Sequence, residues 1–514
     1  MLSVRQSSTR PASLTPHASE NAILRLADLR INLMGRASPL QPLAWVGMHS
    51  TGDRGDGDMG LKVELKTLVD ELDRSHGGAA SWSTEAGIPD FVTAKNGRQR
   101  HFTRKAREAL WQFSKTLFEN RGLSLLKIEF DDYEKIVRQA VADMHAADDF
   151  LELDESDQGN CVSNLRSLVE DRIARIISEY THYFPAWTLG MEAESPFKLG
   201  PVTFLSRSDW IDSVDFPQQA KDNYLFQSDA NHRWKEILRE ALRKPRDRSP
   251  IEGLAGAVYG AIVECPALVK VSIRGYNINF SRKLARLVVK TALDATSLGF
   301  GAPECFHQQA LHDERLPPVG SNSLVETNGF LWFPGSSLGK RVPTLDLQRV
   351  KQGLADMTPM LQAFGAVLEG LAKPSTHKHP KLASRWATAL DWFGEGSRES
   401  SDAIAIAKLG TCLDVLSCGG KNAGIRDMAV HLTGVSAKTQ VVNGGRPRTL
   451  EQLVKDIYDD GRSKILHGTY HDRLESFATA RQQAAYLARA LLIESAVRLQ
   501  KYSGSDDDRA FKTI

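Results

Sequence analysis

Apolar residues recur at three- and four-residue intervals along much of the chain, the spacing of helices that bury one face. Between residues 61 and 187 this pattern predicts helices at 61–74, 103–120, 132–151 and 162–184, which together make a helical subdomain. Further on the period changes. Pro201-Val-Thr-Phe-Leu205 fits a strand, and Val269-Lys-Val-Ser-Ile-Arg-Gly-Tyr-Asn-Ile-Asn-Phe280 alternates over several residues, with helices flanking at about 217–243 and 281–295 and a further strand pair around Leu324 to Phe333. A helix over 345–371 then runs into Lys373-Pro-Ser-Thr-His-Lys-His-Pro380, where two prolines among polar residues predict a linker at 374–380. Beyond it the pattern is wholly helical, at 381–394, 401–417, 423–433, 449–467 and 474–501, with a loop near Asn443-Gly-Gly-Arg-Pro447. Short loops between amphipathic helices predict a small bundle.

The expected fold class is therefore α+β overall and mainly α. A large N-terminal region, 61–373, is helical over 61–190 and α+β over 191–373, and an all-α bundle follows at 381–502, with a tail at 503–514. Residues 1–60 carry Ser/Thr/Pro clusters and the charged, turn-rich run Thr51-Gly-Asp-Arg-Gly-Asp-Gly-Asp58, which predicts a mobile leader with at most one short helix at 21–34. No internal repeat of 20 to 50 residues is seen, and no low-complexity tract follows the leader.

Composition narrows the class without naming it. The 514 residues include 41% hydrophobic and 25% charged, ordinary values for a chain that buries its core. A net charge of +2, from 65 basic and 63 acidic residues, makes any nucleic-acid site a local feature. The five cysteines, Cys161, Cys265, Cys305, Cys412 and Cys418, form no CxxC pair, which points to reduced thiols and a cytoplasmic protein. No run of about 18 uninterrupted apolar residues occurs and no apolar h-region opens the chain, so neither membrane insertion nor secretion is expected. Nor is there a GxxxxGK[ST], GxSxG or HExxH motif. Cys305, His307, His312 and Asp313 include zinc-ligand types but lack a second cysteine pair and a standard spacing, so no metal is expected. The basic runs Lys244-Pro-Arg-Asp-Arg248 and Arg98 to Arg107 are candidate phosphate contacts whose plain alternative is a solvated face.

The richest segment for chemistry is Thr449-Leu-Glu-Gln-Leu-Val-Lys-Asp-Ile-Tyr-Asp-Asp-Gly-Arg-Ser-Lys-Ile-Leu-His-Gly468. Thr449 suits an N-cap, with Glu451 and Gln452 in the positive first turn and Gly468 as the C′ stop. On a straight helix Leu450, Val454, Ile457, Gly461 and Ile465 share a buried stripe, while Asp459, Arg462, Ser463, Leu466 and His467 share the opposite face. Gly461 costs about 1 kcal/mol against alanine inside a helix, so it implies a close backbone approach. Leu466 among polar neighbours implies a partner's cover. Arg462 and His467 leave the axis about 140° and about 7.5 Å apart, a geometry that two copies meeting on a two-fold axis bring together more easily than one. Imidazole shuttles protons near neutral pH and guanidinium stabilises phosphate charge, so the pair suits RNA cleavage with the 2′-hydroxyl as nucleophile and without a cofactor.

Tyr458-Asp-Asp-Gly-Arg-Ser-Lys-Ile-Leu-His-Gly468 resembles the signature of HEPN ribonuclease domains: an arginine, a polar residue, three further residues and a histidine. It is most similar to the Apea-like branch associated with abortive phage infection. The resemblance covers about 120 C-terminal residues, including Leu390-Asp-Trp-Phe393 and the closing helix, while Gly461 stands where an apolar residue is expected. It implies a homodimeric, metal-independent endoribonuclease with Arg462 and His467 catalytic, acting on tRNA or mRNA as a toxin of antiviral defence. A companion region would restrain it until a phage-derived trigger appears. Asp459, Ser463, Tyr470 and His471 are candidate supporting residues. The alternatives are a non-catalytic HEPN dimerisation or nucleotide-binding module, and a toxin held by a separate nucleotidyltransferase antitoxin. The plain alternative for Arg462 and His467 is a surface ion-pair face near a helix C-terminus.

Overall fold

The computed structural model describes residues 55–76, 90–120, 128–150, 158–244, 250–315, 321–331, 335–337, 344–443, 446–469, 474 and 476–514. Residues 1–54 of the expected leader, residues 245–248 of the basic run, and Tyr470 and His471 lie outside the described residues, whereas residues 55–60, also expected to belong to the leader, open a helix. The chain is mainly α with small sheets, and it divides into two compact units at Ser384/Arg385.

In the N-terminal unit, α1 (Gly55–His76), α2 (Arg104–Glu119), α3 (Phe130–Ala146) and α4 (Gln158–Ile176) enclose one core. Leu61, Leu65, Leu68 and Leu72 of α1 recur at three to four residues and meet Leu110 and Phe113 of α2, Val137 of α3 and Leu165 of α4. A hairpin of β1 (Asp90–Thr93) and β2 (Gln99–Phe102) joins this subdomain through Phe102, which is fully buried. No strands were expected here, although Asn96-Gly97 carries the hairpin signal and Gly97 adopts φ 83°.

The helix expected over 162–184 ends at Ile176, and β3 (Ser178–Trp187) takes over, because Tyr180-Thr-His-Tyr-Phe184 is a β-branched and aromatic run. β4 (Phe197–Leu199), β5 (Val202–Ser206), β6 (Ala267–Tyr276) and β7 (Ala310–Leu311) complete an antiparallel sheet in the order β4-β5-β6-β3-β7. Between β5 and β6 the helix expected at 217–243 is broken into short pieces, the last of them Trp234–Arg243, and with Arg207–Ser213 and Gly253–Ile262 it covers one sheet face through Trp210, Trp234, Leu238 and Leu254. The other face carries α5 (Ile278–Phe300), where His182 Nε2 on β3 lies 2.8 Å from Ser281 Oγ. The strand pair expected near 324–333 is a short hairpin, Glu326–Thr327 with Phe330–Leu331. The helix expected over 345–371 is two, α6 (Leu347–Asp356) and α7 (Thr358–Ala372), parted where Pro359 forbids a continuous ladder. The segment expected to be a linker folds as a turn, with the His377 N–H bonded to the Lys373 carbonyl at 3.1 Å, and its His379 is buried.

The C-terminal unit is a bundle of α8 (Pro380–Arg398), α9 (Asp402–Leu416), α10 (Lys421–Thr433), α11 and α12 (Ala478–Lys501). Helix α11 runs through three consecutive stretches: α-helical Leu450–Lys455, π-helical Asp456–Ser463 and α-helical Lys464–Leu466. Trp386 of α8 is fully buried and donates its Nε1–H to the Leu492 carbonyl of α12 at 2.8 Å, so its polar atom is satisfied while its ring fills the core. Ala484, Ala488 and Ala496 give α12 small, buried side chains that let α9 approach. A two-stranded ladder, Gln440–Val442 with Arg448–Thr449, is the β element of a unit expected to be wholly α. Residues 503–514, read from sequence as a tail, fold back onto α10, with Phe511 fully buried.

Candidate active site

The N-terminus of α11 is set by a capping box. Thr449 accepts from the Gln452 N–H at 3.3 Å, and Gln452 Oε1 returns to the Thr449 N–H at 3.0 Å. Buried Leu450, Leu453, Val454, Ile457 and Tyr458 then hold the helix to the bundle. At Gly461 a Cβ would collide with Ile406 Cγ2 of α9, and at Gly410 of α9 a Cβ would stand 2.9 Å from Arg462 Cβ. The two glycines let α9 and α11 cross closely, which is the approach that Gly461 implied.

The π stretch lies over this crossing. Its i→i+5 bonding, seen where the Lys464 N–H reaches the Asp459 carbonyl, re-phases every residue that follows. The straight-helix wheel therefore fails in its C-terminal half. Arg462 is not on an outward face with Leu466 and His467. Its side chain, about a quarter exposed (24%), lies against α9.

Three groups bracket its guanidinium. Nε donates to Thr411 Oγ1 at 3.3 Å, Nη1 donates to the Tyr458 hydroxyl at 3.1 Å, and Nη2 meets Asp414 Oδ2 at 3.2 Å. The guanidinium carbon also lies 5.1 Å from the Tyr458 ring centre, within cation–π range. Burial, with the Asp414 charge adding to it, pushes the Tyr458 phenol above its ordinary value and keeps it a neutral donor and acceptor. Asp414 Oδ1 is buried without a hydrogen-bond partner among the described residues, so the carboxylate's attraction falls on the arginine.

The other expected residues are placed differently. Asp459 accepts from Asn422 Nδ2 of α10 at 2.8 Å, so it bonds neither to Arg462 nor to His467. Ser463 is half-buried and its carbonyl accepts the His467 N–H at 3.0 Å. His467 closes α11 at φ −85° and ψ 0°, ahead of left-handed Gly468 at φ 66°. Its side chain is exposed, and among the described residues it has no hydrogen-bond or ion-pair partner. Leu466 beside it is 59% exposed.

Thr411 and Asp414 were missed from sequence. The visible signal is a pair of polar residues three apart in the otherwise apolar stretch Leu409-Gly-Thr-Cys-Leu-Asp-Val-Leu416, on the helix whose Gly410 meets Arg462. Among the described residues no group of three or more histidine, cysteine, aspartate or glutamate side chains converges on one point. In the cluster considered for zinc, His312 lies 3.3 Å from Trp187 Nε1, and Asp313 pairs with Arg286 at 2.8 Å.

Chemically, the arrangement offers an oriented cation with a partly open face and, one turn on, an unencumbered imidazole. No single helix among the described residues is long and apolar enough to cross a membrane. No family model matches the chain, and neither does any curated protein or solved structure.

Proposed function

We propose that the C-terminal unit is a HEPN-type, metal-independent endoribonuclease in which His467 moves the proton and Arg462 binds the phosphate. The observation that carries the reading is the division of labour on α11: Arg462 is fixed by Thr411, Asp414 and Tyr458, while His467 stands free on the exposed end of the same helix. In the reaction His467 takes the proton of a ribose 2′-hydroxyl, and the 2′-oxygen attacks phosphorus as the bond to the 5′-oxygen breaks. The products are a 2′,3′-cyclic phosphate and a 5′-hydroxyl. The leaving oxygen is protonated by an imidazolium, which a second protomer's His467 can supply across a two-fold axis. Exposed Leu466 beside His467 supports such a homodimer.

The biological setting follows from the resemblance to Apea-like proteins: a cytoplasmic toxin of abortive infection acting on tRNA or mRNA, restrained by the N-terminal region until a phage-derived trigger arrives. A non-catalytic dimerisation or nucleotide-binding bundle is favoured by one observation, the ion pair between Arg462 and Asp414, which a purely structural arginine would also make.

Controlled expression separates the two. Wild-type protein co-expressed with its trigger is expected to arrest growth and fragment cellular RNA, and His467→Ala is expected to do neither at equal protein level. Arrest that persists in His467→Ala would favour the non-catalytic reading.

A further inference from the structure

A second surface, in the N-terminal unit, has the chemistry of a polyanion site, and it stands whether or not the nuclease reading does. Helix α2 opens with Arg104, Lys105 and Arg107, and no acidic residue stands in its first turn. That turn is the positive end of the helix dipole, where carboxylates are favoured and cations are not. Arg104 is paired with Glu108 at 3.0 Å, both well exposed, whereas Lys105 and Arg107 are exposed and have no ion-pair partner among the described residues.

One turn further along the same face Trp111 is 44% exposed. It is not loose: its ring meets Phe130 of α3 edge-on at 6.1 Å, Phe130 meets Phe118 at 5.4 Å, and Lys115 Nζ lies 5.1 Å from its centre. Arg104, Arg107, Trp111 and Lys115 thus follow one another up the exposed face, over about 16 Å at 1.5 Å per residue. The arrangement is cations at both ends of a rigid, partly exposed aromatic ring, with the Lys115 ammonium over it.

We infer that this face of α2 binds single-stranded nucleic acid, with Arg104, Lys105, Arg107 and Lys115 on phosphates and Trp111 stacked on a base. Charge complementarity requires a polyanion, and the exposed indole selects one that carries flat, unpaired rings, since a duplex keeps its bases stacked on each other. An acidic peptide would satisfy the cations and leave Trp111 in water.

The test uses the full chain carrying His467→Ala, so that RNA is not cut during the measurement, and follows the fluorescence anisotropy of a short labelled single-stranded RNA. Trp111→Ala is expected to weaken binding about tenfold. Joint replacement Arg104→Glu, Lys105→Glu and Arg107→Glu is expected to weaken it at least as much and to reduce the slope of log affinity against log salt by about 2, given about 0.7 per phosphate contact. Acidic residues are favoured at a helix N-terminus, so the triple variant should melt no lower than its parent, and a binding loss cannot be ascribed to unfolding. An RNA of the same length made abasic should bind the parent as weakly as intact RNA binds Trp111→Ala. Unchanged affinity in both variants overturns the inference. A loss in the triple variant without one in Trp111→Ala overturns the single-strand assignment, as does tighter binding of a polyglutamate peptide or a phosphatidylserine vesicle than of RNA. Failure of His467→Ala to stop cleavage would count against the nuclease reading alone, and the same binding comparison would then be read with single-stranded DNA, which has no 2′-hydroxyl to attack.

Discussion

Arg462 is held by geometry that only a few neighbours supply, and its replacement should report on that bracket. Arg462→Ala leaves Asp414 of α9 with two unpaired oxygens facing α11, one of them buried already. An orphaned buried charge-bonded group costs about 1–3 kcal/mol, so the variant should melt measurably lower as well as lose activity. His467→Ala, on an exposed side chain, should lose activity with an unchanged melting temperature. Equal melting of both variants would contradict the bracket. Asp414→Asn is a sharper probe of positioning: it keeps the shape, removes the charge, and should raise KM more than it lowers kcat, because the guanidinium is left less firmly held before substrate arrives. Gly461→Ala should destabilise by about 1–3 kcal/mol through overpacking against Ile406, despite a gain of about 1 kcal/mol in helix propensity. A more stable Gly461→Ala protein would show that the crossing of α9 and α11 has room to spare.

Among the elements, those with a long, clean period were legible from sequence. The buried leucines of α1 and the alanine- and leucine-rich face of α12 announce helices by spacing alone. What spacing did not reveal is where a competing local preference wins. Tyr180 to Phe184 sits on a plausible helical period yet pairs with β6, because its partner strand is some ninety residues away and invisible to a local window. The π stretch of α11 is the costlier omission: it moved Arg462 from the outer face into contact with α9, and a wheel drawn at constant phase cannot show it. The identities Arg462 and His467 were legible as a motif. The partners of Arg462 on α9 were not, since Thr411 and Asp414 come from another helix.

The seam between α1, β2 and α3 is a further element-scale feature. His145 Nδ1 accepts from Arg100 Nε at 2.7 Å while its Nε2 lies 3.0 Å from Asp73 Oδ1. His76 Nδ1 lies 2.8 Å from the Leu72 carbonyl and 2.9 Å from Ser75 Oγ, and its Nε2 accepts the His101 N–H at 3.0 Å. The His76 ring lies 5.5 Å from that of His101 and 5.6 Å from that of His145. Burial, against the opposing pull of Asp73 and with help from Arg100, lowers the pKa of His145; burial, His76 and Arg100 lower that of His101. A folded-state pKa below the unfolded one means that acid favours the unfolded chain. The stability these rings contribute is complete above the ordinary imidazole value of about 6.5 and is lost as pH falls through the lowered folded values. The N-terminal unit should therefore melt lower at pH 5 than at pH 7.5, with a smaller difference in His145→Gln. An identical pH difference in that variant would contradict the account.

At the scale of the whole molecule, the proposed nuclease chemistry falls in one compact unit and the proposed nucleic-acid-binding face in the other, which would suit a protein that recognises before it cuts. The nuclease reading requires two copies of the bundle to meet at the His467 end of α11. Leu466→Asp should then convert a dimer into a monomer by light scattering and reduce cleavage together with it, leaving the melting of each unit as it was. The central claim is tested most directly by incubating wild-type, His467→Ala and Arg462→Ala proteins with total cellular RNA in EDTA and determining the fragment ends. The account predicts discrete fragments with 2′,3′-cyclic phosphate and 5′-hydroxyl ends from the wild type alone. Cleavage retained by His467→Ala, or fragments bearing 5′-phosphates, would contradict it.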